Sequence, residues 1–270
     1  MATCSVETNS SEAYWDVAAE TYDRDFTQTT IGRMWRESAW TEFDTCFQPG
    51  QRLLELNCGT GVDAVHLAGR GIRVLACDIS PRMIQLARKR AVAAGYCGLL
   101  DFRVLATEMI GTLDVKRQFD GAYSNFSGLN CVEDLSAVRR DLARLLKPGA
   151  RIVLCMLGRF SVWELFWRLV HGHRKNLLRR LSKRDGIVKV RYLSTNEIAQ
   201  EFAPEFQLRR WKGIGVTLPP PYTERWARRF PRFMQILASL DRVAGNIRPV
   251  RSIASCILLE LQRTEIPGAG

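Results

Sequence analysis

One stretch, Arg52 to Ala64 (RLLELNCGTGVDA), constrains the fold of this chain more than any other. It opens as a short apolar run, the pattern of a strand buried on both faces. Gly59 and Gly61 then turn the chain, and Val62-Asp63-Ala64-Val65-His66-Leu67-Ala68 continues with apolar residues at helical spacing. Strand, glycine turn and helix in that order build the ligand crevice of an open, doubly wound α/β sheet, because glycine lets backbone approach a ligand closely. Gly59-Thr60-Gly61-Val62-Asp63-Ala64 also fits the dinucleotide pattern G-x-G-x-x-G/A, and Asp78 follows at a distance suited to a ribose hydroxyl. The acids argue against a pyrophosphate. Glu55 ends the strand and Asp63 opens the helix. Both would repel phosphate and attract a ligand carrying an amine and a sulfonium.

S-adenosylmethionine is such a ligand. Glu55-Leu56-Asn57-Cys58-Gly59-Thr60-Gly61 resembles motif I of the class I, Rossmann-like S-adenosylmethionine-dependent methyltransferases, E-x-G-C-G-T-G, with Asn57 where glycine is common. Ile79-Ser80-Pro81-Arg82-Met83-Ile84 is similar to the family's second motif, following Asp78 at the end of a second apolar strand. The resemblance runs from about residue 50 to 158 and points to the small-molecule branch, which includes the ubiquinone/menaquinone and biotin-pathway methyltransferases. It implies an α/β fold with a doubly wound, seven-stranded mixed sheet. Residues 1–48 would be an N-terminal helical cap and 49–158 the cofactor-binding core. Residues 159–254 would carry substrate-lid inserts with strand six, and 255–263 the last strand, all in one domain.

The resemblance also assigns the cofactor site. Asp78 would accept hydrogen bonds from the ribose diol, and Ile79 and Met83 would flank the adenine. Glu55, Asn57, Gly59, Thr60 and Gly61 form the motif. Thr107 and Glu108 stand in for an aspartate that the family often places after strand three. Ser124 and Asn125 leave strand four facing the reactive methyl group, and Tyr22-Asp23 matches a cap pair that closes over the cofactor. Tyr22, Asn125 and His171 are the catalytic candidates, and Tyr14, Asn130, Trp163 and Tyr222 the substrate candidates. Asn125 can orient but cannot titrate. The product would be S-adenosylhomocysteine.

The remaining elements follow from pattern. A helix is expected over 11–27, capped by Ser10 or Ser11, and another over 31–43. Strands are expected at 100–106, 119–126, 151–157, 187–193, 206–214 and 255–263. Helices are expected from Asp134 to Leu146, ended by Lys147-Pro148-Gly149, over 160–170, from a Ser194…Glu197 capping box, and over 223–243. The tail 264–270 reads as disordered.

Composition sets the remaining bounds. Eight cysteines show no C-x-x-C pair and no histidine cluster, which favours reduced thiols over disulfides or a metal. No apolar run reaches transmembrane length and the N-terminus lacks signal-peptide character, so a cytoplasmic location is expected. Charge is uneven. Residues 1–150 carry 17 Lys/Arg against 19 Asp/Glu, and residues 151–270 carry 22 against 9. The partner of the second half is therefore expected to be anionic. The aromatic run 160–170, with the basic run to Arg184, fits a lid over an apolar, anionic small molecule such as a quinone-type ring, lipid precursor or secondary metabolite. It also fits contact with an anionic membrane surface. An RNA methyltransferase and a non-catalytic S-adenosylmethionine-binding scaffold stand as alternatives. The absence of N-P-P-Y after strand four and of a nucleic-acid-binding module weighs against nucleic acid. The oligomeric state stays open.

Overall fold

A computed structural model describes residues 3–115, 117–170 and 189–265. Its centre is the strand opened by Arg52. β1 (Arg52–Leu56) pairs in parallel with β2 (Arg73–Asp78) on one side and β4 (Phe119–Ser124) on the other. β3 (Leu100–Val104) continues the parallel sheet beyond β2, and β5 (Leu146–Leu157) continues it beyond β4. The last strand, β7 (Cys256–Arg263), inserts antiparallel between β5 and β6 (Phe206–Ile214). The order is β3-β2-β1-β4-β5-β7-β6, a seven-stranded mixed sheet.

Alternation along the strands fills two cores. Leu53 of β1, Tyr123 of β4 and Val153 and Cys155 of β5 face one side. There they meet Ile31, Trp35 and Phe43 of α2 (Thr30–Cys46), Leu67 of α3 (Val62–Gly69) and Ile84 and Ala87 of α4 (Pro81–Ala94). Leu54, Leu56, Ala122, Ile152 and Leu154 face the other side. They meet Leu135 and Leu142 of α5 (Leu135–Leu145) and Ile198 and Phe202 of a helix over Thr195–Phe202. Side chains two apart share a face, so each strand serves both cores. Gly61 fixes how close α3 comes to α4. Its φ is +73°, and a Cβ there would lie 2.7 Å from Ala87 Cβ, so only glycine fits.

Several expected boundaries move. The cap helix α1 spans Thr3–Tyr22, so Ser10 and Ser11 lie within it rather than at its N-terminus. It passes directly into a π-helical turn, Asp23–Thr27. Lys147-Pro148-Gly149 belongs to β5 rather than to a separate turn, because Leu146 pairs with Phe119. Asp134 is the N-cap of α5, accepting from Ala137 N at 3.0 Å. The strand expected at 187–193 is absent over 189–193, where a single bridge joins Gly158 to Leu193. Alternation without a neighbouring edge does not make a ladder. α6 is Val162–Val170 and α7 is Thr195–Phe202, whose capping box has both of its bonds. The insert after β6 is broken at Phe230-Pro231 into α8 (Glu224–Arg229) and α9 (Pro231–Ala244), since proline cannot supply the helical N–H. The tail beyond 265 lies outside the described residues.

Candidate functional site

The cleft opens at the carboxyl ends of β1, β2 and β4, where open α/β sheets bind ligands. Its floor is the turn Asn57-Cys58-Gly59-Thr60. Asn57 and Gly59 both hold left-handed backbone, with φ of 56° and 53°. Asparagine is among the few side chains that tolerate this, which explains how it replaces the usual glycine. A Cβ on Gly59 would have only the Tyr22 ring nearby, at 3.9 Å, so the space above this backbone is open to a ligand. A Cβ on Gly128 would strike the Asn57 side chain at 2.3 Å. The asparagine and the glycine of the opposite loop thus fit one another.

Asp78 sits at the mouth, 8% exposed. Its Oδ2 accepts from Gly59 N at 2.8 Å and its Oδ1 from Ser80 N at 3.0 Å. These bonds fix the carboxylate and leave it lone pairs for a diol. Burial outweighs them and pushes its pKa up to about 6. Ile79 and Met83 line the wall beside it, with Thr107 and Glu108 further along. Ser80 caps α4, accepting from Met83 N at 3.1 Å.

The cap closes the cleft from above. Ser11 and Trp15 of α1 line it, with Tyr22 at the helix end. Two carboxylates latch the cap down. Asp16 accepts from Ser80 Oγ and Arg82 N, and Asp23 accepts from Thr60 Oγ1 at 2.8 Å and Arg90 Nη2 at 2.5 Å. Burial raises the pKa of the Tyr22 hydroxyl above the ordinary tyrosine value, against the opposing charge of Arg36. It remains a neutral phenol at physiological pH, suited to orienting rather than to taking a proton.

The far wall holds a buried ion pair that sequence reasoning missed. Arg36 Nη1 donates to Asp63 Oδ2 at 2.5 Å, and both side chains are buried. Asp63 also accepts from Trp40 Nε1 at 2.6 Å and Asn125 Nδ2 at 3.1 Å. The Arg36 guanidinium lies 5.5 Å from the Phe26 ring centre and 5.1 Å from that of Phe126, so apolar and aromatic surface surrounds the pair. An available signal was an arginine on the apolar face of the second helix, between Ile31, Trp35 and Phe43. A charge there needs a partner.

This pair corrects the charge argument. Asp63 lines the cleft, but its charge is matched by Arg36. Glu55 does not line the cleft. It lies beneath it, 1% exposed, with Oε2 lacking a hydrogen-bond partner. Burial first, and Asp63 second, raise its pKa well above the ordinary glutamate value, which favours the neutral acid. Among the described residues, the carboxyls without a cationic partner that face the ligand are Asp78 and, further along the wall, Glu108. Asn125 lines the cleft and its Oδ1 is buried without a partner, an acceptor free for a cationic donor.

Other expected residues fall elsewhere. Gly61 acts in packing and Ser124 donates to Asn57 Oδ1 at 3.4 Å beneath the floor. Asn130 is fully buried and braces the chain. Its Nδ2 donates to Leu157 O and Arg191 O, and its Oδ1 accepts from Leu157 N. Tyr14 is exposed and packs edge-on against Trp15, which takes the cleft position instead. Trp163 packs on Phe166 and Tyr222 is exposed, and neither lines the cleft. His171, like His173, lies outside the described residues. Phe126, Cys131 and Val132, unassigned from sequence, complete the wall. Phe126 and Ser127 both have positive φ, of 51° and 68°, and such strain is characteristic of ligand-shaping turns. Among the described residues no group of three or more His, Cys, Asp or Glu could hold a metal ion.

A cleft with an open glycine backbone, one buried diol acceptor, apolar walls and a free amide acceptor fits S-adenosylmethionine. With the sheet order above, it defines the class I S-adenosylmethionine-dependent methyltransferase fold. Residues 53–149 match the family model described as Methyltransferase domain. A demethylmenaquinone methyltransferase of Thermobifida fusca is 30% identical over 155 residues, 57% of this chain and 63% of that protein. A ubiquinone/menaquinone biosynthesis C-methyltransferase of Geotalea daltonii is 31% identical over 127 residues, 46% of this chain and 52% of that protein. The chain thus spans a little over half the length of the curated relatives it matches. Among solved structures, magnesium protoporphyrin IX methyltransferase from Synechocystis, with bound S-adenosylhomocysteine, superposes with a TM-score of 0.59 at 15% identity. That match covers 96% of this chain and all of that one. A 4+2 cyclase shares the fold with a TM-score of 0.56 at 16% identity, over 85% of this chain and 80% of that one. Fold alone therefore does not fix the reaction.

Proposed function

We propose that this chain transfers a methyl group from S-adenosylmethionine to a small apolar acceptor carrying negative charge, of the quinone type. The observation that carries this reading is Asp78, a buried carboxylate fixed by Gly59 and Ser80 at the ligand end of β2. The bound cofactor supplies an electrophilic methyl on a sulfonium. Asp78 would accept from the ribose diol, Asn125 Oδ1 from the ammonium, and Ile79 and Met83 would contact the adenine. Trp15, Tyr22 and Phe126 exclude water around the reacting centre, which favours catalysis by alignment. The names of the sequence relatives support a quinone-type acceptor, and the aromatic wall beside Arg36 suits a ring of that kind.

Calorimetry with S-adenosylmethionine and S-adenosylhomocysteine tests the first half of this reading. Transfer of labelled methyl into cell extract, split into lipid, small-molecule and RNA fractions, tests the second. Binding with transfer into the lipid or small-molecule fraction is expected. Transfer into RNA alone would reassign the substrate, and absence of binding would remove the reading altogether.

A further inference from the structure

The segment after β6 presents an apolar face that is exposed among the described residues. α9 is apolar on two sides. Met234 is fully buried and Asp241 nearly so, and they turn inward. Asp241 accepts from Gly215 N at 3.0 Å and Thr217 N at 2.7 Å, which pins the helix to the loop after β6. The outward side carries Phe233, Ile236, Leu240 and Val243, between 45% and 62% exposed. Their spacing of three, four and three residues puts them on one stripe. Trp226 and Phe230, both exposed, extend it: the Trp226 ring lies 5.6 Å from that of Phe233 and 6.0 Å from that of Phe230. Apolar patches of this kind mark interaction surfaces.

The charge around the stripe selects the occupant. Arg225, Arg228, Arg229, Arg232, Arg242 and Arg248 are all exposed. Residues 222–250 contain two acids, and both are engaged inward. Glu224 accepts from Thr30 N and pairs with Arg228, and Asp241 is buried. A second copy meeting this face would set arginines against arginines. An acidic bilayer surface complements both features, since its headgroups take the arginines and its acyl boundary takes the stripe. Among the described residues no helix is long and apolar enough to cross a membrane, so the contact is peripheral. We infer that α8 and α9 dock this protein onto an anionic lipid surface. This goes beyond the methyl-transfer reading and does not depend on it.

Cosedimentation with vesicles of phosphatidylcholine alone, and with about 30% phosphatidylglycerol added, tests the inference. The protein is expected to bind the acidic vesicles, to release with rising salt, and to ignore the neutral ones. The double substitution Ile236→Ser, Leu240→Ser and the triple substitution Arg225→Gln, Arg229→Gln, Arg232→Gln should each weaken binding about tenfold or more. All these side chains are exposed, so circular dichroism and S-adenosylmethionine binding should match the parent. Equal binding to neutral vesicles, or acidic-vesicle binding untouched by either variant, would overturn the inference. So would a dimer in sedimentation, broken by the Ile236→Ser pair, in a protein that ignores both vesicles. That result would assign the face to a second copy.

Discussion

In the proposed function, Asp78 is the residue on which ligand affinity turns. Its carboxyl has a pKa of about 6 in the free cleft, and a diol hydrogen-bonds best to the ionised form. Binding therefore favours the carboxylate, and affinity for S-adenosylmethionine should fall as pH drops through about 6. Calorimetry at stepped pH checks this. A flat profile across that window would remove Asp78 as the diol acceptor. Asp78→Ala should weaken binding by about 1–3 kcal/mol at neutral pH. The buried Arg36–Asp63 pair makes a different prediction. Removing one partner strands the other charge, so Arg36→Met should destabilise the fold by about 3–5 kcal/mol in denaturant unfolding. Asp63→Asn, which keeps one oxygen to accept from Trp40 Nε1, should cost less on the Arg36→Met background than alone. Additive losses would mean the two are not coupled. The sequence showed Asp78 clearly, because a strand end and a capped proline helix flank it. It misplaced Glu55 and Asp63, because a charge read from sequence carries no burial and no partner. The inference of a cationic ligand survives on Asp78 and the orphaned Asn125 Oδ1, not on the two acids that first suggested it.

At the scale of elements, the strands and helices of the nucleotide half were legible because their hydrophobic periods are unambiguous and bounded by glycine, proline and capping residues. The segment 189–193 was not, since alternation does not say whether a sheet edge is free to receive it. The cap was half legible. Tyr22 lines the cleft, but the π-helical turn that follows, and its latch onto Thr60 and Arg90, depends on contacts distant in sequence. That latch ties the lid to the floor. Any ligand entering past α1 must loosen the lid, so weakening the latch should change rates more than affinity. Asp23→Ala is expected to raise both the association and dissociation rates of S-adenosylhomocysteine several-fold while Kd moves less. Stopped-flow binding measures both. A change confined to Kd through association alone would show that the turn does not gate the cleft.

For the whole molecule, the site leaves a mark on the pH dependence of stability. A carboxyl whose folded pKa is raised binds more protons in the folded than in the unfolded state between the two values. Stability contributed this way is present below the unfolded pKa and lost as pH rises through the folded one. For Asp78 the window runs from the ordinary aspartate value of 3.8 to about 6, a loss of about 2–3 kcal/mol. Glu55 is shifted in the same direction by its burial, so its contribution is also lost as pH rises. Glu197 opposes them at the acid end. Backbone bonding from Ser194 leads the effects that hold it at about 2, and its contribution disappears only as pH drops below the ordinary glutamate range. Thermal unfolding should therefore be most favourable to the fold in mildly acidic solution and decline toward neutrality. Asp78→Asn removes one titration at the cost of one backbone bond, a penalty independent of pH. Its melting temperature should start below that of the parent at acid pH and converge with it, or pass it, above pH about 6. Saturating S-adenosylmethionine should reverse the parent's decline, because ligation draws Asp78 toward its ionised form. Parallel curves for parent and variant across the window would mean that the buried carboxylate is not the group whose ionisation links cofactor binding to the stability of the fold.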